Sequence, residues 1–127
     1  MKEKIVITGT GAVTPIGIGV KEYWKQLIDG ACGVAPITLF DASSLPVQIA
    51  AEVKNFNPED HMTKKQAREM DRFMQYGYAA AQEALLEAAL TNENADPARV
   101  GIVIGTAMSG VSIISETQDG LSTGAKC

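Results

Sequence analysis

One stretch, residues 100–115, combines a continuous apolar run with a cluster of small residues. Positions 100–104 are almost wholly apolar and do not alternate, which is typical of a strand covered on both faces at the centre of an α/β sheet. Gly105 ends the run, and small residues then surround one long side chain, Met108. Small residues after a central strand let backbone or a ligand approach closely. The stretch therefore predicts either a tight strand-to-helix turn filled by Met108 or the wall of a site for a flexible apolar ligand.

Composition and charge indicate one soluble globular domain. Hydrophobic residues make up 46% of the 127 positions and charged residues 20%, which excludes a disordered segment. No apolar run approaches the roughly 20 residues of a membrane span, and residues 1–4 lead directly into an apolar segment rather than a signal peptide. The formal net charge of −4 argues against nucleic acid as a partner. We expect a cytoplasmic protein that binds neither membranes nor nucleic acids.

A Gly-x-Gly sequence follows the first predicted strand, residues 5–7. Gly9 and Gly11 supply half of a dinucleotide-binding fingerprint, but Thr14 stands where the third glycine belongs and Pro15 follows it. A helix cannot run through these two residues as the pyrophosphate cradle requires. No nucleotide cofactor is predicted.

The cysteines and the single histidine do not form a catalytic or metal-binding set. Cys32 follows the end of a predicted helix and has no visible cation beside it, so we interpret it as a structural or idle thiol. Cys127 lies in a polar tail, and the spacing of the two cysteines fits neither a metal site nor a disulfide framework. His61 lies among charged residues and is predicted to be exposed to solvent, without a catalytic role.

Apolar periodicity predicts three further elements. A first helix is expected at residues 20–28 and a strand at residues 47–53. A long helix is expected at residues 71–90, with only a thin polar stripe, so that it should be largely covered by a sheet or by another chain. The last predicted helix is expected to fray near Gly120, which leaves residues 120–127 as a loose tail.

Four of the chain's 11 basic residues fall within nine positions, after a helix start predicted at Asn57. Lys64, Arg68 and Arg72 are spaced i, i+4 and i+8, so one helix would carry them on one face beside Lys65. In an acidic protein such a face can dock an acidic partner. The alternative is a solvated helix face without a partner.

Four segments of the chain resemble the condensing enzymes, and most closely the type II 3-oxoacyl-[acyl-carrier-protein] synthases. The segments are Ile-Val-Ile-Thr-Gly-Thr-Gly-Ala-Val-Thr-Pro-Ile-Gly at 5–17, Phe-Asp-Ala-Ser to Glu-Val-Lys-Asn-Phe at 40–56, Lys-Lys-Gln-Ala-Arg-Glu-Met-Asp-Arg-Phe-Met-Gln-Tyr at 64–76, and Val-Gly-Ile-Val-Ile-Gly-Thr at 100–106. The Met-Asp-Arg-Phe part is the most specific, because nothing generic about a helix demands it.

The resemblance implies a thiolase-like α/β fold, built from two similar βα halves and usually dimeric. A complete member is roughly three times this length, which implies that residues 1–127 are the N-terminal part of the first half. The implied activity is an acyltransferase that elongates acyl chains on acyl carrier protein by decarboxylative Claisen condensation with malonyl-carrier protein in fatty acid biosynthesis. The alternatives are a polyketide-type condensing subunit and a non-catalytic fragment that binds carrier protein or itself.

The resemblance also assigns site residues. The family's catalytic cysteine and two histidines are expected after these 127 residues, so no catalytic residue is assigned and the isolated chain is expected to be inactive. Neither a metal nor a cofactor is implied. The fatty-acyl pocket is assigned to Ala107, Met108, Val111 and Ile114, with Met108 as its gate, and Ser109 replaces the family's usual glycine.

Docking of the acidic carrier protein is assigned to Lys64, Lys65 and Arg68. Glu69 stands where another basic residue is common in the family.

Overall fold

The computed structural model of the protein describes residues 4–108 and 110–124, and within them four α-helices are joined by short strands and turns. The helices are α1 (Val20–Ile28), α2 (Lys64–Glu69), α3 (Arg72–Glu87) and α4 (Val111–Thr123). The strands are β1 (Val13–Thr14), β2 (Gly17–Ile18), β3 (Val34–Pro36) and β4 (Ile49–Ala51). Single turns of 3-10 helix lie at Pro58–Asp60 and Pro97–Arg99.

The strands form two small antiparallel pairs, β1 with β2 and β3 with β4. Residues 5–7 and 100–104, predicted as buried central strands, form no strand, and Val103 is 98% exposed. That prediction is wrong for this structure. A strand needs a neighbour that takes up its backbone N–H and C=O groups, and no strand among the described residues lies beside either segment.

The helix predictions hold where periodicity is strong. The first helix is confirmed at residues 20–28, and the long helix is confirmed as α3, which ends at Glu87. The strand predicted at 47–53 is confirmed in its centre as β4. The helix predicted to begin near Asn57 is divided: a single 3-10 turn comes first, and α2 starts only after Thr63.

Met70 and Asp71 interrupt the helical conformation between α2 and α3. Met70 has extended backbone angles (φ −110°, ψ 131°), so the helical hydrogen-bonding pattern ends there. Asp71 then caps α3, since its Oδ1 accepts the Arg72 N–H at 2.6 Å. The two helices are therefore separate elements joined by two extended residues, Met70 and Asp71, which form the corner between them.

The N-terminal loop packs directly on the backbone of α3. A Cβ atom added to Gly9 would overlap the carbonyl oxygen of Ala84, and one added to Gly11 would overlap that of Ala80. Only glycine permits this approach. The Gly-x-Gly sequence thus has a packing reason in this fold, because it lets the loop lie against a stripe of alanines one turn apart.

Glu83 on α3 connects the same loop to the start of α1. Its Oε2 accepts the Ala12 N–H at 3.0 Å and its Oε1 accepts the Val20 N–H at 2.8 Å. The N-cap of α1 is Gly19, which has no side chain to cap the helix. A carboxylate from α3 therefore takes the place of a local cap, and its negative charge lies at the positive end of α1.

Phe56 is one of the few buried large side chains, and an aromatic cluster surrounds it. The His61 imidazole stacks on Phe56 with ring centroids 5.2 Å apart, and Tyr76 meets it edge-on at 4.9 Å. The prediction of a solvent-exposed His61 is therefore wrong: the residue is half-buried, because one face of its ring lies on Phe56.

Helix α4 begins after Gly110 and continues through Gly120 to Thr123, beyond the predicted fraying point. The Ser122 and Thr123 hydroxyls each donate at 2.8 Å to the carbonyl four residues earlier, which supports the last turn. The remaining part of the predicted tail, with Cys127, lies outside the described residues. Among the described helices, none is long and apolar enough to cross a membrane.

Helices α1 and α3 end in the same Schellman motif but use different residues at the left-handed position. Gly30 occupies it after α1 with φ 72°, and Ala89 occupies it after α3 with φ 50°. The backbone bonds that define the two motifs are Gly30 N–H to Leu27, Ala31 N–H to Gln26, Ala89 N–H to Leu86 and Leu90 N–H to Leu85.

Ala89→Gly should raise the free energy of unfolding by about 0.5–1 kcal/mol, because glycine adopts the left-handed conformation without the clash that a Cβ causes. Urea-induced unfolding measured by circular dichroism gives the change. Gly30→Ala is the matched control at the equivalent position of α1 and should lower the same free energy by a similar amount. A lower unfolding midpoint for Ala89→Gly would contradict this account of the motif.

Two carboxylates, Glu87 and Glu52, accept hydrogen bonds that stabilise the fold when these side chains are ionised. The Thr10 hydroxyl (2.8 Å) and then the Thr10 N–H lower the pKa of Glu87 below its ordinary value of 4.5. The Thr38 hydroxyl, at 2.6 Å, and the Thr38 N–H likewise lower the pKa of Glu52. A folded-state pKa below the unfolded value stabilises the fold above about pH 4.5, and this contribution is lost as pH falls through the folded pKa.

Glu87→Gln should therefore flatten the loss of Tm at acid pH, since one of the groups that titrates is gone. We expect a lower Tm than the parent protein at pH 7 and a difference that narrows below about pH 4.5. Melting curves between neutral and acid pH test this. The control is Glu93→Gln, which removes an exposed carboxylate that accepts no hydrogen bond from Thr10. It should keep the parental dependence of Tm on pH. The same parental dependence in Glu87→Gln would refute the role assigned to Glu87.

Candidate functional site

The three basic side chains assigned to carrier docking, Lys64, Lys65 and Arg68, all lie on α2 and are all exposed. A capping box fixes the start of this helix. The Thr63 hydroxyl accepts the Gln66 N–H at 3.3 Å, and Gln66 Oε1 accepts the Thr63 N–H at 3.0 Å. The structure thus brings the predicted docking residues together on one short helix that begins at a defined residue.

Glu69 is the one acidic side chain of α2, and it pairs with Lys65. Lys65 Nζ lies 4.0 Å from Glu69 Oε1, with the two side chains 85% and 65% exposed. Exposed pairs of this kind contribute about 0–1 kcal/mol to stability. The pair therefore holds Lys65 only weakly, and an acidic partner can compete for it.

Arg72 does not belong to this basic surface, although the sequence predicts one face for Lys64, Arg68 and Arg72. Helix α2 ends before Arg72, and the Arg72 guanidinium lies against two aromatic rings although the residue remains exposed. Its central carbon lies 5.3 Å from the ring centroid of Phe56 and 5.6 Å from that of Tyr76. The prediction of a shared face is wrong, because the corner at Met70 places Arg72 on a different helix.

The residues assigned to the acyl pocket lie together at the start of α4. Ala107 and Met108 precede the helix, and Val111 and Ile114 are one turn apart within it. All four are exposed, Met108 by 76% of its surface. The Thr106 hydroxyl donates to the Met108 carbonyl at 3.3 Å, and Gly110 takes a left-handed conformation (φ 67°) as the N-cap of α4. Ser109 lies outside the described residues.

Two cavities lie along α3 and are lined by other residues. One measures about 560 Å³ and the other about 470 Å³. Ile102, Leu85 and Ala81 line both, and none of the four residues assigned to the acyl pocket lines either. Ile102 lies across these cavities from α3, but Leu85 and Leu86 remain 48% and 81% exposed. Within the described residues, the predicted covering of α3 by a sheet is therefore not present.

Catalytic chemistry is not assembled in the described part of the chain. Cys32 is exposed beyond the C-terminus of α1, and His61 lies against Phe56. Within residues 4–108 and 110–124, no group of three His, Cys, Asp or Glu side chains is placed to hold a metal ion. Cys127 is outside the described residues.

Comparison with known proteins identifies the family. A family model described as "Beta-ketoacyl synthase, N-terminal domain" matches residues 2–125. The 3-oxoacyl-[acyl-carrier-protein] synthase 2 of Synechocystis sp. is 37% identical over 117 residues, which are 92% of this chain and 28% of that protein. The synthase of the same name from Coxiella burnetii is 41% identical over 122 residues, 96% of this chain and 30% of that protein.

A solved structure agrees with these relatives. The ishigamide ketosynthase/chain length factor superposes with a TM-score of 0.64 and 38% identity over 70% of this chain and 22% of that chain. This likeness confirms the predicted thiolase-like α/β fold class. The chain spans less than a third of the length of the relatives that it matches. It belongs to the family of the beta-ketoacyl synthase N-terminal domain.

Proposed function

We propose that this chain is the N-terminal part of a 3-oxoacyl-[acyl-carrier-protein] synthase that elongates acyl chains in fatty acid biosynthesis. The observation that carries the proposal is the family match over residues 2–125, together with relatives named 3-oxoacyl-[acyl-carrier-protein] synthase 2. The complete enzyme acts in the cytoplasm as a homodimer. The part described by residues 1–127 supplies scaffold, one wall of the acyl pocket and part of the carrier dock.

The proposed reaction is a decarboxylative Claisen condensation. A cysteine elsewhere in the complete enzyme takes the acyl group as a thioester, and two histidines assist malonyl decarboxylation and stabilise the developing oxyanion. From the family resemblance, we expect the cysteine and the two histidines after residue 127. The isolated chain is then inactive, since covalent catalysis has no nucleophile to start from.

The basic surface of α2 is the proposed dock for acyl carrier protein. Lys64, Lys65 and Arg68 are exposed on one short helix, while the chain as a whole carries a net charge of −4. A local cationic surface on an acidic protein attracts an acidic partner and orients it as it approaches. Glu69 reduces the positive charge of this surface, which nevertheless stays positive overall.

A polyketide-type condensing enzyme is the second candidate. The observation in its favour is the likeness to the ishigamide ketosynthase/chain length factor, at 38% identity. Both candidates use an acyl chain on a carrier protein, and they differ in the chains accepted. The loop at Met108 is therefore the part of this chain whose variants distinguish them.

Charge reversal on α2 should slow carrier docking in the complete enzyme. With Lys65→Glu and Arg68→Glu together, attraction becomes repulsion, so the association rate should fall by about tenfold and should no longer decrease as ionic strength rises. Stopped-flow binding of acyl carrier protein at several salt concentrations measures both effects.

The matched control for this pair is Lys4→Glu with Lys25→Glu, which changes the total charge equally at exposed sites away from α2. It should bind carrier protein at close to the parental rate. An unchanged rate and salt slope in the α2 variant would mean that this surface is only a solvated helix face.

Met108→Phe in the complete enzyme should leave short acyl primers usable and exclude long ones. A thioether changes rotamer to admit a chain, whereas a rigid ring cannot. Each methylene that loses its buried place costs about 0.8 kcal/mol, so long-chain kcat/KM should fall by orders of magnitude. A series of primer lengths, measured alongside the Tm, gives the profile.

Met74→Phe introduces the same ring on α3 and should affect all primers alike. If Met108→Phe also depresses every primer equally, and does so in step with its loss of Tm, Met108 fills space in the core and does not gate the pocket.

A further inference from the structure

Helix α2 is too short and too exposed to hold its own orientation. It has six residues, and none of them is buried. Helices shorter than about 12 residues are marginal in water without tertiary contacts. The capping box at Thr63 fixes the beginning of α2, but the carbonyl groups of its last turn need partners from elsewhere.

Gln75 of α3 supplies those partners. Its side-chain amide Nε2 donates to the carbonyl oxygen of Ala67 at 2.8 Å and to that of Met70 at 3.1 Å. Gln75 is only 7% exposed, and it is the one polar residue among the buried side chains of the described chain. Both amide hydrogens of a buried side chain are thus committed to the end of the helix that carries the basic surface.

Arg72 fixes the orientation of the Gln75 amide. Its Nη1 donates to Gln75 Oε1 at 3.1 Å, which leaves the NH₂ group facing α2. Its Nη2 donates to the Phe56 carbonyl at 3.3 Å, and its guanidinium lies over the Phe56 and Tyr76 rings. The amide is therefore held from both sides, by a cation on one and by two carbonyls on the other.

We propose that Gln75 is a positioning residue for carrier-protein recognition: it holds α2 so that Lys64, Lys65 and Arg68 face the carrier together. This inference rests on the proposed function, since it concerns the same docking surface. Gln75 makes no contact with the carrier itself. Without its two hydrogen bonds, the end of α2 loses the side-chain link to α3, and the three cations no longer keep one arrangement.

The test compares two acyl donors in the complete enzyme. Gln75→Leu should lower kcat/KM for enzyme acylation by acyl carrier protein about tenfold, the equivalent of the two lost hydrogen bonds. Acylation by the corresponding acyl-pantetheine, which has no carrier protein to dock, should be unchanged. Gln82→Leu is the matched control, because it makes the same substitution on the same helix and removes only a bond to the Tyr78 hydroxyl.

A charge-reversed background separates this inference from the proposed function. In the enzyme with Lys64→Glu, Lys65→Glu and Arg68→Glu, Gln75→Leu should have no further effect on kcat/KM for the carrier-linked donor, since all three cations that Gln75 positions are gone. If Gln75→Leu still lowers kcat/KM about tenfold in the charge-reversed enzyme, the inference about Gln75 is overturned, but the proposed docking surface is not. If charge reversal alone leaves carrier kinetics unchanged, the docking surface itself fails and the role of Gln75 fails with it.

A general structural role gives a different result. Equal losses with both acyl donors would overturn the inference, because they would show that Gln75 supports the whole fold. Should Gln75→Leu not fold, Gln75→Glu keeps the shape and the acceptor for Arg72 but cannot donate to Ala67 and Met70 from its carboxylate. It should reproduce the tenfold loss and speed hydrogen exchange of the α2 amides, and parental values of both would overturn the inference.

Discussion

The carboxylate of Glu83 joins segments of the chain that are far apart in sequence. It accepts one backbone N–H from the loop that ends at Ala12 and another from the first turn of α1. Charge at a helix N-terminus is worth about 0.3–1 kcal/mol where it is exposed, and more where it is partly buried. Because Gly9 and Gly11 let the same loop lie on the α3 backbone, the loop, α1 and α3 form one unit around this side chain.

The most specific segment of the sequence, residues 64–76, has a physical explanation in the corner between α2 and α3. Asp71 caps the second helix, Arg72 lies over two aromatic rings, and Gln75 takes up carbonyls of the first helix. Tyr76 completes the cluster around Phe56. Each side chain has a separate structural role: Asp71 caps the start of α3, Gln75 donates to the carbonyl groups at the end of α2, and Arg72 packs on aromatic rings. A family motif on an otherwise ordinary helix is thus a set of contacts across a turn.

Local periodicity was sufficient to predict α1 and α3, since a helix satisfies its own backbone and leaves an apolar stripe in the sequence. It failed for residues 5–7 and 100–104, because a strand depends on neighbours that composition does not locate. Gln75 and Glu83 lie on the long helix, for which the sequence predicted only a thin polar stripe. Their partners are backbone groups, and Glu83 reaches Val20 across 63 positions, so no spacing within α3 reveals them. The residues proposed for carrier docking were assigned through a family motif, and their position on one helix follows from the Thr63 cap.

Residues 100–104 form an exposed apolar run whose backbone pairs with no strand in the described part of the chain. Ile102, Val103 and Ile104 are β-branched, carry no charge and are 73–98% exposed, and unpaired backbone beside such side chains is a template for intermolecular β-pairing. Arg99 is the charged residue that precedes the run, and the uncharged Gly105 follows it. A chain in this state is prone to aggregate as its concentration rises.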